Sequence, residues 1–272
     1  METRYTKAIK RHENRRMTLD YKTLINRPRT VRGRETLNRI VSAAAQEIYE
    51  NGYHNASINE ITRKAGVAAG TFYVYFDSKY NLYKFLLLQC SHNIRKHLNQ
   101  ATKDCRDRRE VEEVGLREWL KFVQQNQYMY HIIWESLYVD KQLFVDYYTN
   151  FCKAYVKGID AAKERGEIRT EINSEVLAWT LMGASNFLGL NWGLFTDSPM
   201  EHQNVVDSFM QILSGSIFTD NVPSKSTPGH LPIRIEVEFD DDEEYDETAE
   251  AEELEKLEKA AEITEVPADA EE

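Results

Sequence analysis

SINEITRKAGVAAGTFYVYFDSK, residues 57–79, decides the fold. Ser57 and Glu60 have the spacing of a capping box, in which the hydroxyl accepts a backbone N–H three residues on and the glutamate reaches back. Ile58, Ile61 and Ala65 recur at helical spacing, so a short helix buries one face. Gly66 ends it, because glycine adopts a left-handed backbone at little cost. Val67 plugs the turn, Ala68 to Tyr75 forms a second short helix, and Asp77 and Ser78 offer the next cap. Two helices joined by a tight glycine turn read as a helix-turn-helix, which lays its second helix in the DNA major groove.

Upstream, Leu37, Ile40, Val41, Ala44, Ile48 and Tyr49 form one apolar stripe, and Asn51-Gly52 predicts a left-handed stop. This helix is expected to pack across the two short ones. Downstream, a longer helix is predicted from Lys79 to about Leu98, with Leu82, Phe85, Leu86, Gln89 and Ile94 inward. At ~20 residues it spans ~30 Å, enough to lead from a head into a separate body. His92 and His97 point to different faces and read as surface or packing residues. Residues 99–110 are polar enough for a loop or frayed end.

Helices are then expected over Val111–Gln125, Gln127–Val139, Asp140–Arg165, Ser174–Trp192 and after Pro199. The last two are apolar over more than one face, which calls for a second partner. From Val222 the character changes to a proline-containing linker. Ile233, Ile235, Val237 and Phe239 alternate with polar residues as in a strand, and an acidic run follows.

Charge separates along the chain. The net charge is −11 over 272 residues, yet residues 1–40 hold 12 Lys/Arg against 4 Asp/Glu and residues 221–272 hold 4 against 19. A basic end beside the helix-turn-helix suits phosphate, and both extensions are expected to be disordered. Three cysteines at unrelated spacings exclude a disulfide framework or metal cluster from the reading, and no apolar run approaches ~18 residues. A soluble cytoplasmic protein with no membrane segment, no metal and no cofactor is expected. No phosphate-cradling loop or nucleophile elbow points to an enzyme.

The stretch also resembles the DNA-binding region of the TetR family of bacterial transcriptional regulators (TetR/AcrR type). The matching residues are Ser57, Ile61, Ala65-Gly66-Val67, Gly70-Thr71, Tyr73, Tyr75-Phe76 and Lys79, and the likeness extends from Leu37 to Leu87. It implies an all-α protein with a three-helix helix-turn-helix head and a helical ligand-binding and dimerisation body. The corresponding boundaries are a basic extension at 1–32, a head at 33–95, a body at 96–220 and an acidic tail at 221–272. The expected function is a homodimeric repressor, released from double-stranded operator DNA by a small apolar or aromatic effector. The other reading is a nucleoid or cell-process factor controlled by a protein partner.

By this resemblance Ser57, Ala68, Ala69, Gly70, Thr71, Tyr73, Tyr75 and Lys79 face DNA. Tyrosine hydroxyls can donate to phosphate, and lysine supplies a salt-sensitive charge. Trp119, Trp134, Tyr147, Phe151, Trp179 and Phe187 are the expected effector pocket, since large rings exceed what the helices need for packing. Leu181, Ala184, Leu188, Val206, Phe209 and Leu213 are the expected dimer interface, on the pair of helices that forms a four-helix contact in that family.

Overall fold

Thr30 opens the first helix, α1 (Val31–Asn55), by accepting the Gly33 N–H at 2.8 Å on its buried hydroxyl. The computed structural model describes residues 24–195 and 202–219. They divide into two units: 24–43 with 57–88, the head, and 44–56 with 89–195 and 202–219, the body. All elements are helical among the described residues, apart from one isolated bridge between Ile168 and Phe218. The strand pattern at 233–239, the acidic run and the leader before Leu24 lie outside them.

In the head, α2 (Ile58–Ala65) and α3 (Ala69–Tyr75) follow α1. The Ser57 hydroxyl accepts the Glu60 N–H at 3.1 Å, as the capping box predicts. The returning half is absent: Glu60 turns forward to Arg63 at 2.7 Å, where an i,i+3 ion pair competes for the carboxylate. Gly66 is left-handed (φ 65°, ψ 40°), and the Val67 N–H closes back on the Thr62 carbonyl at 3.0 Å. That six-to-one bond makes the turn a Schellman motif. Phe72, Tyr75, Phe76, Leu82 and Phe85 fill the space beneath it. The end of the basic leader belongs to this unit as well. Leu24 and Ile25 are buried, and the Asn26 N–H donates to the Tyr75 carbonyl at 2.9 Å.

The stripe on α1 is buried from Leu37 to Ile48, but Tyr49 is exposed. Gly52 kinks the helix with φ 76° and ψ 157°, not the left-handed helical ψ that the Asn-Gly pair suggests. A tertiary contact accounts for it: the Tyr53 N–H donates to Glu135 at 2.6 Å, a partner 82 residues away.

The chain passes from head to body through α4 (Lys79–Thr102), one turn longer than its pattern predicts. The Ser78 hydroxyl starts it by accepting from the Asn81 N–H at 3.1 Å. The body continues with α5 (Arg108–Gln125), α6 (Gln127–Val139), α7 (Lys141–Glu164), α8 (Ser174–Gly189) and α9 (His202–Ser214). Asp107, Asp140 and Asn173 cap α5, α7 and α8 by accepting backbone N–H groups. The predicted loop therefore shrinks to residues 103–107. The helix expected to reach Trp192 instead widens into a π-helix over Leu190–Phe195. Leu116, Leu120, Ile159, Leu181, Val206, Phe209 and Leu213 form the body's core.

Gly66→Ala tests the turn. An L-residue held in the left-handed region costs about 1–2 kcal/mol, and a Cβ at Gly66 would meet only Arg39 Nη1, at an ordinary contact distance of 3.8 Å. The urea midpoint for the head should fall accordingly, with the far-UV spectrum unchanged.

Candidate DNA-facing surface and body cavity

The eight head positions fall into two groups. Ser57 is exposed, and Ala68, Ala69, Gly70 and Lys79 are partly so. Tyr73 is 57% exposed, with its ring edge-on against Phe72 at 5.3 Å, so the core holds its base while the hydroxyl faces solvent. Thr71 and Tyr75 turn inward. Tyr75 is 1% exposed and its hydroxyl donates to the Gly33 carbonyl at 3.2 Å, tying α3 to the start of α1. On a seven-residue helix, positions 71 and 75 share a face four residues apart, and that face is the core. Arg39 was not singled out by sequence; its Nη1 donates to the Ala65 carbonyl at 3.3 Å and holds the turn from behind.

A cavity of ≈ 320 Å³, open to solvent at one end, lies in the body between α4, α5, α7 and α8. Trp119, Tyr147 and Phe151 line it. Trp119 donates its indole N–H to the Ser185 carbonyl at 2.9 Å and stands parallel to Phe122 at 6.2 Å. Gly189 makes room for it, since a Cβ there would lie 2.8 Å from the indole nitrogen. Three of the six expected residues are elsewhere. Trp134 packs between Tyr130 and Phe144. Trp179 and Phe187 lie on the outer face of α8, at 43% and 65% exposure. The residues expected at a dimer contact show the reverse: Leu181, Val206, Phe209 and Leu213 are buried in the body's own core, and Ala184 and Leu188 pack against it.

One wall carries charges whose burial the sequence does not reveal: Glu112, in a charged stretch that reads as exposed, is 5% exposed. Arg108 sits at the start of α5 with Glu112 one turn on, and both are buried. The carboxylate Oε1 accepts from Arg108 Nε at 2.6 Å, and Oε2 accepts the Tyr155 hydroxyl at 2.5 Å. The guanidinium lies over the Tyr155 ring at 4.8 Å, with Nη1 where a Cβ on Gly158 would be, 2.6 Å away. Burial lowers the Arg108 pKa, but Glu112 and Tyr155 outweigh it and leave the group above its ordinary value. Burial, reinforced by Glu112, pushes the Tyr155 hydroxyl well above the phenol range, so it stays a donor. The i,i+4 pair and the mid-helix glycine were the available signals. Among the described residues no cluster of side chains could hold a metal ion, and no helix is long and apolar enough to cross a membrane.

Residues 40–85 match the family model of bacterial regulatory proteins, tetR family. Over 183 residues the chain is 23% identical to the HTH-type transcriptional activator FasR of Mycolicibacterium smegmatis, covering 67% of this chain and 83% of that one. It is 49% identical over 41 residues to the fatty acid metabolism regulator protein of Bacillus subtilis, 15% of this chain and 21% of the other. The fold is shared with FadR from Bacillus subtilis solved in complex with stearoyl-CoA (TM-score 0.55, 19% identity, 64% of this chain and 96% of that one).

Glu112→Gln should destabilise the body by about 3 kcal/mol, because it leaves a buried guanidinium without its counter-charge. Tyr155→Phe should cost about 1–2 kcal/mol. Thermal unfolding of the two variants and their double mutant reads the coupling, which independent sites would not display.

Proposed function

We propose that the chain is a member of the tetR family of bacterial regulatory proteins, whose model its residues 40–85 match, and that it is a dimeric transcriptional repressor whose hold on operator DNA responds to an apolar molecule in the body cavity. The observation that carries this reading is the capped, glycine-turned pair α2–α3 with Tyr73 standing out of it. Ser57, Ala68, Ala69, Gly70, Tyr73 and Lys79 make up its DNA-facing set. Thr71 and Tyr75 act through the fold, by fixing how α3 is presented. None of these side chains is Arg, Asn or Gln, the usual bidentate base readers, so sequence-dependent DNA shape carries part of the specificity. The work of the protein is binding and release in the cytoplasm, not catalysis.

The stripe of Val176, Trp179, Gly183 and Phe187 on the outside of α8 is the dimer face in this reading. Val176 and Phe187 are large, apolar and mostly exposed, and residues at this spacing line one side of a helix. The aromatic cavity suits a long apolar chain, and the likeness to a FadR solved with stearoyl-CoA directs the ligand search toward acyl chains. Such a ligand changes DNA affinity only through its differential affinity for two body shapes.

Selection of genomic fragments by the purified protein would supply the operator. On it, Lys79→Ala should weaken binding to every sequence and reduce the salt slope by about one ion. Tyr73→Ala should weaken operator more than random DNA. Wild-type affinity and salt dependence in both variants would remove α3 and the start of α4 from the DNA.

Phe187→Glu should dissociate the dimer by desolvating an unpaired charge, measured by sedimentation at micromolar concentration, without lowering the monomer's melting temperature. Leu181→Glu, inside the core, should unfold the body instead. A dimer that survives Phe187→Glu places the contact on another face.

A further inference from the structure

Two guanidinium groups line the cavity, and they are in different electrostatic situations. Arg108 is spoken for: Glu112 takes its Nε and Nη2, and Tyr155 completes the carboxylate. An anion brought to Arg108 would also meet Glu112, a like charge. Arg95, on α4, is half-buried on the same wall. Its guanidinium stacks 5.6 Å from the centre of the Phe151 ring, one turn along α7 from the ring under Arg108. Among the described residues it makes no ion pair. With two arginines and one glutamate, the lining carries a net charge of +1 beside five aromatic rings.

A cation held against an aromatic face in a partly desolvated site attracts an anion more strongly than it would in water. The planar fork offers a carboxylate or phosphate two parallel hydrogen bonds. Asn99, one turn on along α4, also lines the cavity and is exposed, so this end opens to solvent. Leu116, Trp119, Tyr147 and Met182 extend the lining as an apolar and aromatic wall.

We propose that Arg95 anchors the anionic head of an amphiphile whose apolar chain fills the cavity, and so selects charged-headed chains over neutral or cationic ones. This rests on the cavity being the effector site. The chemistry is shared by a free long-chain carboxylate and by the phosphates of an acyl thioester, so both enter the test.

The measurement is titration of the full-length protein with dodecanoate, dodecan-1-ol, dodecyltrimethylammonium and lauroyl-CoA, each below its micelle concentration, followed by tryptophan fluorescence. Trp119 on the wall reports occupancy. Dodecanoate or lauroyl-CoA should bind at least about tenfold more tightly than the alcohol, the scale of one hydrogen bond to a charged group, and the cation should bind weakest. Tighter binding of lauroyl-CoA than dodecanoate identifies the thioester as the source, and the reverse order the free acid. Arg95→Gln should bring acid and alcohol to equal affinity, while Arg95→Lys keeps the preference in reduced form. The alcohol's affinity for Arg95→Gln, unchanged from wild type, shows that the variant retains its cavity. Equal binding of acid and alcohol by the wild type, or an undiminished preference in Arg95→Gln, overturns the assignment of Arg95 alone. Failure of all four probes to bind overturns the cavity as effector site, and the role of Arg95 with it.

Discussion

The body depends on keeping one guanidinium buried. Arg108 cannot shed its charge, so folding must supply a carboxylate and enough hydrogen bonds to offset lost hydration. Glu112 supplies the charge from one turn along the same helix, which spares any long-range search for a partner. Tyr155 then fixes the carboxylate from α7, and Gly158 gives up its side chain so that the guanidinium can lie against that helix. The mid-helix glycine costs ~1 kcal/mol in propensity relative to alanine, and relieves a contact that no Cβ could make. A pair so fixed cannot be squeezed like an apolar contact. It holds α5 and α7 at a set spacing, and the cavity is lined by both.

The head is organised by local rules instead. Ser57 and Gly66 fix where α2 starts and stops, and each acts on backbone groups within four residues. This is why the head was legible in sequence: its capping, its turn and its apolar spacing all refer to near neighbours. What local rules could not reveal was which tyrosine faces out. Tyr73 and Tyr75 are two residues apart in a short helix, so they must point to different sides. The hydroxyl of Tyr75 is committed to a carbonyl 42 residues earlier. The ψ of Gly52 was hidden for the same reason, since Glu135 determines it from another helix.

In the body the elements were legible but their rotation was not. α8 is apolar nearly all round, and a helix of that kind gives periodicity no phase to measure. Leu177, Ala178, Leu181 and Met182 bury one side, while Val176, Trp179 and Phe187 lie on the other. Assigning the largest rings to the cavity and the aliphatics to an outer contact inverted this arrangement. Size was the wrong guide, because Trp119 already occupies the inner surface of α8 at Gly189, where a second large ring would collide. The three of these rings that line the cavity, Trp119, Tyr147 and Phe151, lie on α5 and α7, where polar residues on the opposite face fix the phase.

The two sides of α8 are mechanically one object. Met182, Ser185 and Asn186 line the cavity, and Gly183 and Phe187 are their neighbours on the outward stripe. Side chains from other helices hold the backbone between them. Trp119 donates to the Ser185 carbonyl, and Tyr130 donates to the Asn186 carbonyl at 2.6 Å. Directly beyond these carbonyls the chain widens into the π-helix at Leu190–Phe195, where Gly193 allows the backbone to approach Val123. A π segment leaves i→i−4 bonding for a looser register, so the stiff part of α8 ends where the cavity's indole grips it. Anything in the cavity that moves Trp119 must either break its bond to Ser185 or carry the end of α8 along. In the second case the outer stripe moves with it, because the Ser185 carbonyl belongs to the same rigid backbone that carries Gly183 and Phe187.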